Sequence, residues 1–215
     1  MTNEKYAKLT GSLIFVWFLF SLTASAFHLF RTAPDQPPLS FGLAALIPIV
    51  IFVVWSAASQ SFRRFVLSLN PRALTFVQTL RIEGFVFLVL YTYNILPGNL
   101  ALPAGWGDIA IGATAPLVAL KLSNPQHQKS FIVWQLLGIT DLVSAVVLGV
   151  TSRLFSPHAI AADAMTVLPM SLIPTFAVPL FMILHFICIA QARQWQEQRY
   201  PRVGASLWSV NRGRV

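Results

Sequence analysis

Long apolar runs decide what this chain can fold into. In hydrocarbon every backbone N–H and C=O must be satisfied within the structure, so only helices and closed barrels cross a membrane. A helix needs about twenty apolar residues to cross ~30 Å. Runs of that length fall at roughly 9–30, 40–60, 73–95, 101–121, 130–150 and 166–190. No ten-residue alternation of the kind that marks a membrane barrel interrupts them. The chain is 56% apolar and 10% charged, with a mean hydropathy of +0.68. An ordinary soluble domain carries about 25% charged residues, so that class is excluded. The prediction is an all-α fold: a polytopic transmembrane bundle of six spans over residues 1–190, followed by a basic tail over 191–215.

Charge orients the bundle. Lys5 and Lys8 precede the first run, Arg63, Arg64 and Arg72 follow the second, and Lys121 and Lys129 flank the loop after the fourth. Arg193, Arg199, Arg202, Arg212 and Arg214 follow the sixth. With six spans all of these lie on one side, and only Arg31 and Arg153 lie on the other. Lys and Arg collect in cytoplasmic loops, so both termini are expected in the cytoplasm. The net charge of +8 is then a topology signal.

The first run, with Lys5 and Lys8 before it and Ala24-Ser25-Ala26 within it, imitates a signal peptide. Its apolar character continues through Phe27, Leu29 and Phe30, which predicts an uncleaved helix; cleavage would leave five spans. Cys188 is the sole cysteine, so neither an intramolecular disulfide nor a cysteine-cluster metal site is available.

Against this apolar background Arg81, Glu83, Asp108 and Asp141 stand out. A charge at the centre of a membrane helix costs at least ~2.5–3.5 kcal/mol, so such residues are kept for function or for architecture. Arg81 and Glu83 fall ~12 and ~15 Å into the third span, near the midplane. Two residues apart on an α-helix is about 200° of rotation, so they face different neighbours, which predicts a central third helix. Glu83 shares its face with Asn94 and Tyr91, and Arg81 shares one with Thr92.

Residues 96–108 are uncharged up to Asp108 but hold two prolines and three glycines, which reads as broken backbone dipping into the membrane mouth. Asp108, ~10 Å below the outer surface, either caps the fourth helix or faces a ligand. Asp141 lies near the midplane of the fifth span, with Gln135 and Ser144 adding hydrogen-bonding capacity. Pro169, Pro174 and Pro179 predict bends in the sixth, where proline removes backbone donors and makes a candidate hinge. Phe62-Arg63-Arg64-Phe65 reads either as an aromatic and basic lipid anchor or as a plain charged loop.

Arg81 can pair with Asp141 or with an acid on another helix, leaving an acid over. Such a set suits a proton relay or cation site, and equally a structural lock. His28 and His185 lie at opposite membrane faces and His127 and His158 in loops on opposite sides, so no haem, metal or other cofactor is expected. His-Glu-x-x-His, Gly-x-Ser-x-Gly and Walker signatures are absent. The basic tail with Trp195, Tyr200 and Trp208 is expected to rest on anionic lipid, with no nucleic acid bound.

Arg81-x-x-Gly84, then residues 102–108 (Leu-Pro-Ala-Gly-Trp-Gly-Asp), then Asp141 resemble uncharacterised multi-pass bacterial inner-membrane proteins. That resemblance covers the middle third of the chain and implies an inner-membrane location but no activity. Three functions follow as expectations. The first is a small proton- or cation-linked permease whose outward-facing acidic cavity is lined by Glu83, Asn94, Asp108 and Asp141. The second is a partner or assembly subunit, in a homo-oligomer or with another protein, docking through small residues such as Gly107, Gly112 and Ala113. The third is an intramembrane enzyme using Asp108 and Asp141.

Overall fold

The computed structural model describes residues 3–31, 39–155 and 164–199, and the regular elements among them are all helical. They are α1 (Asn3–Ala26), α2 (Leu39–Ala58), α3 (Gln60–Leu67), α4 (Pro71–Val77), a 3₁₀ segment (Gln78–Gly84) and α5 (Phe85–Thr92). After these come α6 (Gly98–Lys121), a short 3₁₀ turn (Pro125–His127), α7 (Gln128–Phe155), a π-helical turn (Ile173–Ala177) and α8 (Val178–Arg199). The loop holding His158 and most of the basic tail lie outside the described residues.

Five helical stretches among the described residues are long and apolar enough to cross a membrane: Asn3–Ala26, Ser40–Ala58, Pro71–Thr92, Pro125–Thr151 and Ile173–Trp195. At 24 residues α6 is as long as α1, or ~36 Å at 1.5 Å per residue. It is poorer in large apolar side chains, being built on alanine and glycine with Asp108 in its middle.

The third span is wound in a way that an α-helical reading misses. Its buried residues recur at every third position: Thr75, Gln78, Arg81, Gly84 and Phe87. A 3₁₀ helix has three residues per turn, so side chains at i and i+3 eclipse one another. Arg81 therefore shares its ridge with Gln78 and Gly84, and the face predicted for it with Thr92 does not form, Thr92 being exposed. Glu83 falls with Leu80 on the exposed side. The span meets both α6 and α8, as a helix with neighbours on more than one side must. The buried ridge packs chiefly on α6, and the most enclosed span is the last, with 56% of its apolar window buried against 28% in the third.

The expected break before Asp108 is helix instead. Pro97, extended at φ −73° and ψ 145°, is the N-cap, and its carbonyl accepts from Leu100 and Ala101. Pro103 sits inside α6 in its second turn, where it cannot donate to the Asn99 carbonyl four residues back, and the helix continues through it. Asp108 thus lies about three turns inside α6 and caps nothing.

The last span begins at Ile173, so Pro169 precedes it and only Pro174 and Pro179 lie within the helical stretch. Pro179 cannot donate to Thr175, four residues back. That carbonyl is taken up from α1, by Trp17 Nε1 at 3.1 Å and Ser21 Oγ at 3.3 Å. A proline-freed acceptor thereby docks the first helix onto the last.

α3 is amphipathic, and its two phenylalanines pack into the protein rather than facing outward. Phe62 and Phe65 are buried with Tyr6, Val66 and Ile187, while Arg63 and Arg64 are exposed. Phe62 stacks on Trp55 at 3.9 Å with 5° between the rings. From α8, Gln191 Nε2 donates to the Leu69 carbonyl at 2.7 Å, tying down the chain beyond α3. Phe62→Ala should lower unfolding stability in detergent by ~3–5 kcal/mol, the usual cost of removing a buried aromatic. Arg64→Ala should stay within ~0.5 kcal/mol, as exposed substitutions do.

Candidate functional site

Arg81 is the largest fully buried side chain of the described structure, 1% exposed. A guanidinium offers five N–H donors in a fixed fork and cannot be neutralised in a protein, so burying it demands acceptors on every side. Nε donates to Asp108 Oδ1 at 2.7 Å, and Nη2 donates to Asp141 Oδ2. Nη1 reaches the Gly138 carbonyl and His185 Nε2, both at 3.3 Å. The four acceptors come from α6, α7 and α8. One cation on the third span therefore draws three further helices together.

The two aspartate side chains are 15% and 16% exposed, and each uses one oxygen on Arg81. Among the described residues their second oxygens have no hydrogen-bond partner. Behind Arg81 the polar chain continues inward. His185, 0% exposed, bonds through Nδ1 to Gln135 Oε1. Gln135 Nε2 donates to Thr75 Oγ1 at 3.3 Å, and Thr75 Oγ1 lies 3.8 Å from Cys188 Sγ. Arg81, His185, Gln135, Thr75 and Cys188 thus form one continuous buried series.

Missing side chains make room for this cluster. A Cβ at Gly107 would collide with the Asp141 carboxylate, one at Gly84 with the Asp108 side chain, and one at Gly138 with the His185 ring. At Gly112 it would strike the backbone of Arg81 and Ile82. The small residues expected to face a partner are therefore used inside the chain at Gly107 and Gly112, and of those three only Ala113 is exposed.

The structure brings Arg81, Asp108 and Asp141 together, leaves Glu83 at the exposed margin of that cluster, and places Tyr91 and Asn94 elsewhere. Glu83 is exposed, forms no hydrogen bond or ion pair among the described residues, and lies within electrostatic range of Asp108. Tyr91 packs over Gly98. Asn94, at φ 56°, takes the left-handed conformation just past the end of α5, a place asparagine fills readily. Of the prolines, Pro179 acts through Thr175, far from Arg81 in the bonding pattern. Sequence reasoning passed over His185 because it was weighed only as a haem ligand. It also treated Gln135 as generic polarity. The Thr75, Gln78, Arg81, Gly84 spacing was the available signal for the third-span ridge.

Gly112→Ala should destabilise the protein by ~1–3 kcal/mol, the range for overpacking, because the obstructing atoms are backbone. Gly11→Ala, on α1 with nothing within 4 Å, should instead stabilise by ~0.5–1 kcal/mol by restricting the unfolded chain and favouring helix. Equilibrium unfolding in mild detergent reads both.

No curated protein and no solved structure matches the chain. A family model described as a domain of unknown function (DUF8737) matches residues 36–193. That region holds the whole Arg81 cluster, from Thr75 to Cys188, and is well over half of the 215 residues. The chain therefore belongs to the DUF8737 family, whose function is undefined.

Proposed function

We propose that this chain is a six-span inner-membrane protein of bacterial type with both termini cytoplasmic, acting as a small proton- or cation-linked permease. In that reading α6 is the fourth span. The one-sided distribution of Lys and Arg supports the orientation, and the likeness of residues 81–84, 102–108 and 141 to multi-pass bacterial proteins supports the location.

One observation carries the activity: a single guanidinium faces an excess of carboxyl groups. Asp108 and Asp141 share Arg81, and Glu83 stands nearby without a cation. With every group ionised the cluster holds a net negative charge in a medium that tolerates none, so it must take up protons or a cation to be neutral. The free oxygens of Asp108 and Asp141 are the receiving atoms, Arg81 is the fixed counter-charge, and Glu83 is the outer acid. The Pro174 and Pro179 region of the last span is the moving part. Purified protein in liposomes should pass protons or a monovalent cation, and Asp141→Asn or Asp108→Asn should bring the flux down to that of empty liposomes. Flux untouched by both changes would overturn the permease reading.

A second reading has its own observation in favour. Arg81 is enclosed by acceptors from three helices and wedged among glycines, which suits a lock in a non-catalytic partner subunit. A lock predicts that Arg81→Met alone costs ~3–5 kcal/mol by orphaning buried carboxylates, and that adding Asp108→Asn and Asp141→Asn recovers much of it. Stability rescued in this way, with no flux in liposomes, would select the lock.

The six-span topology has a separate test. Single cysteines placed in a Cys188→Ser background at Arg63 and Lys129 should be labelled only from the cytoplasmic side, and one at Arg31 only from the opposite side.

A further inference from the structure

The inner side of Arg81 is as well organised as its carboxylate side. His185 is wholly buried between Arg81 and Gln135. Trp134 covers its ring, with centroids 5.8 Å apart, and the absent Cβ of Gly138 lets the imidazole sit against α7.

The bonding pattern admits one proton arrangement. A guanidinium only donates, so His185 Nε2, 3.3 Å from Arg81 Nη1, has to be the acceptor. The neutral ring then carries its hydrogen on Nδ1, which donates to Gln135 Oε1. That fixes the Gln135 amide with its oxygen toward His185, and its Nε2 donates onward to Thr75 Oγ1 at 3.3 Å. The Thr75 hydroxyl lies 3.8 Å from Cys188 Sγ, where either group can donate. From Arg81 to Thr75 each link sets the sense of the next.

We infer that His185, locked as the Nδ1–H tautomer by Gln135 and Thr75, is a positioning residue that holds the Arg81 guanidinium between Asp108 and Asp141. As an uncharged acceptor it satisfies the inner N–H of Arg81 without adding a second cation. Charge exchange is thereby confined to the carboxyl side of the cluster. The groups along this arm are Arg81, with Asp108 and Asp141 beyond it, Gln135 and Trp134 on α7, and Cys188 on α8. His185 plays this part whether or not the site transports anything.

Nitrogen-15 NMR of the histidine ring, on labelled protein in lipid bilayers, tests it. The chain has four histidines. A single-histidine version carries His127→Gln, His158→Gln and His28→Asn, asparagine being chosen because residue 28 has φ 57°. The expected spectrum shows His185 with one proton, on Nδ1, the tautomer disfavoured in free histidine. A ring protonated on Nε2, or on both nitrogens, would overturn the proposal without any variant of the cluster. Gln135→Leu should abolish the single-tautomer spectrum and speed hydrogen exchange of the Arg81 side chain at least tenfold. Gln135→Glu, which can still accept from Nδ1, should restore both. Arg81 exchange unchanged in Gln135→Leu would show that His185 does not position it. Loss of flux with the Nδ1–H tautomer retained would count against the permease and leave this assignment standing.

Discussion

A guanidinium buried among helices is the constraint around which the rest of this molecule is arranged. Arg81 cannot shed its charge, and a lone cation at the centre of a membrane helix costs at least ~2.5–3.5 kcal/mol. The fold meets that cost with acceptors from three other helices: Asp108 on α6, Gly138 and Asp141 on α7, and His185 on α8. Buried ion pairs contribute little net stability, because desolvation offsets attraction. Here moving α6 or α7 would orphan a carboxylate, and moving α8 would leave an Arg81 N–H without its histidine acceptor. Among the described residues the same contacts leave two carboxylate oxygens unbonded and Glu83 close by without an ion pair, and the candidate chemistry sits at that remainder.

Close approach is what makes the arrangement possible, and it is achieved by leaving side chains out. In lipid the apolar surface of a helix gains nothing by meeting another apolar surface, so association relies on tight packing and interhelical hydrogen bonds. Gly84, Gly107, Gly112 and Gly138 each border a member of the cluster, and at each a Cβ would overlap a neighbour. The 3₁₀ winding of Gln78–Gly84 adds to this by bringing Arg81 and Gly84 onto one ridge. Two local departures from ordinary helix, missing Cβ atoms and tighter winding, serve one tertiary purpose.

The periphery follows the same economy of polar groups. Pro179 frees the Thr175 carbonyl, and Trp17 and Ser21 of α1 occupy it. Gln191 on α8 holds the carbonyls at the end of α3. Backbone groups left over by a proline or a helix end become the points at which distant elements attach, because an unsatisfied polar group away from water is costly.

The all-helical class, the long apolar stretches and the charge asymmetry of the loops were legible in the chain because hydropathy and charge add up residue by residue. That Arg81, Asp108 and Asp141 needed company was legible too, from the cost of charge in hydrocarbon. Which groups would meet was not. Asp108 read either as a helix cap or as a ligand-facing acid, and the cap is ruled out because its helix starts about three turns earlier. Glu83, Tyr91 and Asn94 looked like cavity-lining residues, but all three are exposed, off the buried ridge that the 3₁₀ winding of Gln78–Gly84 sets at every third position. His185 and Gln135, separated by fifty positions, become neighbours only when α7 and α8 pack. Local composition settles what each segment is; the pairing of a buried cation with its acceptors is a property of several segments at once, and only the packed tertiary structure decides it.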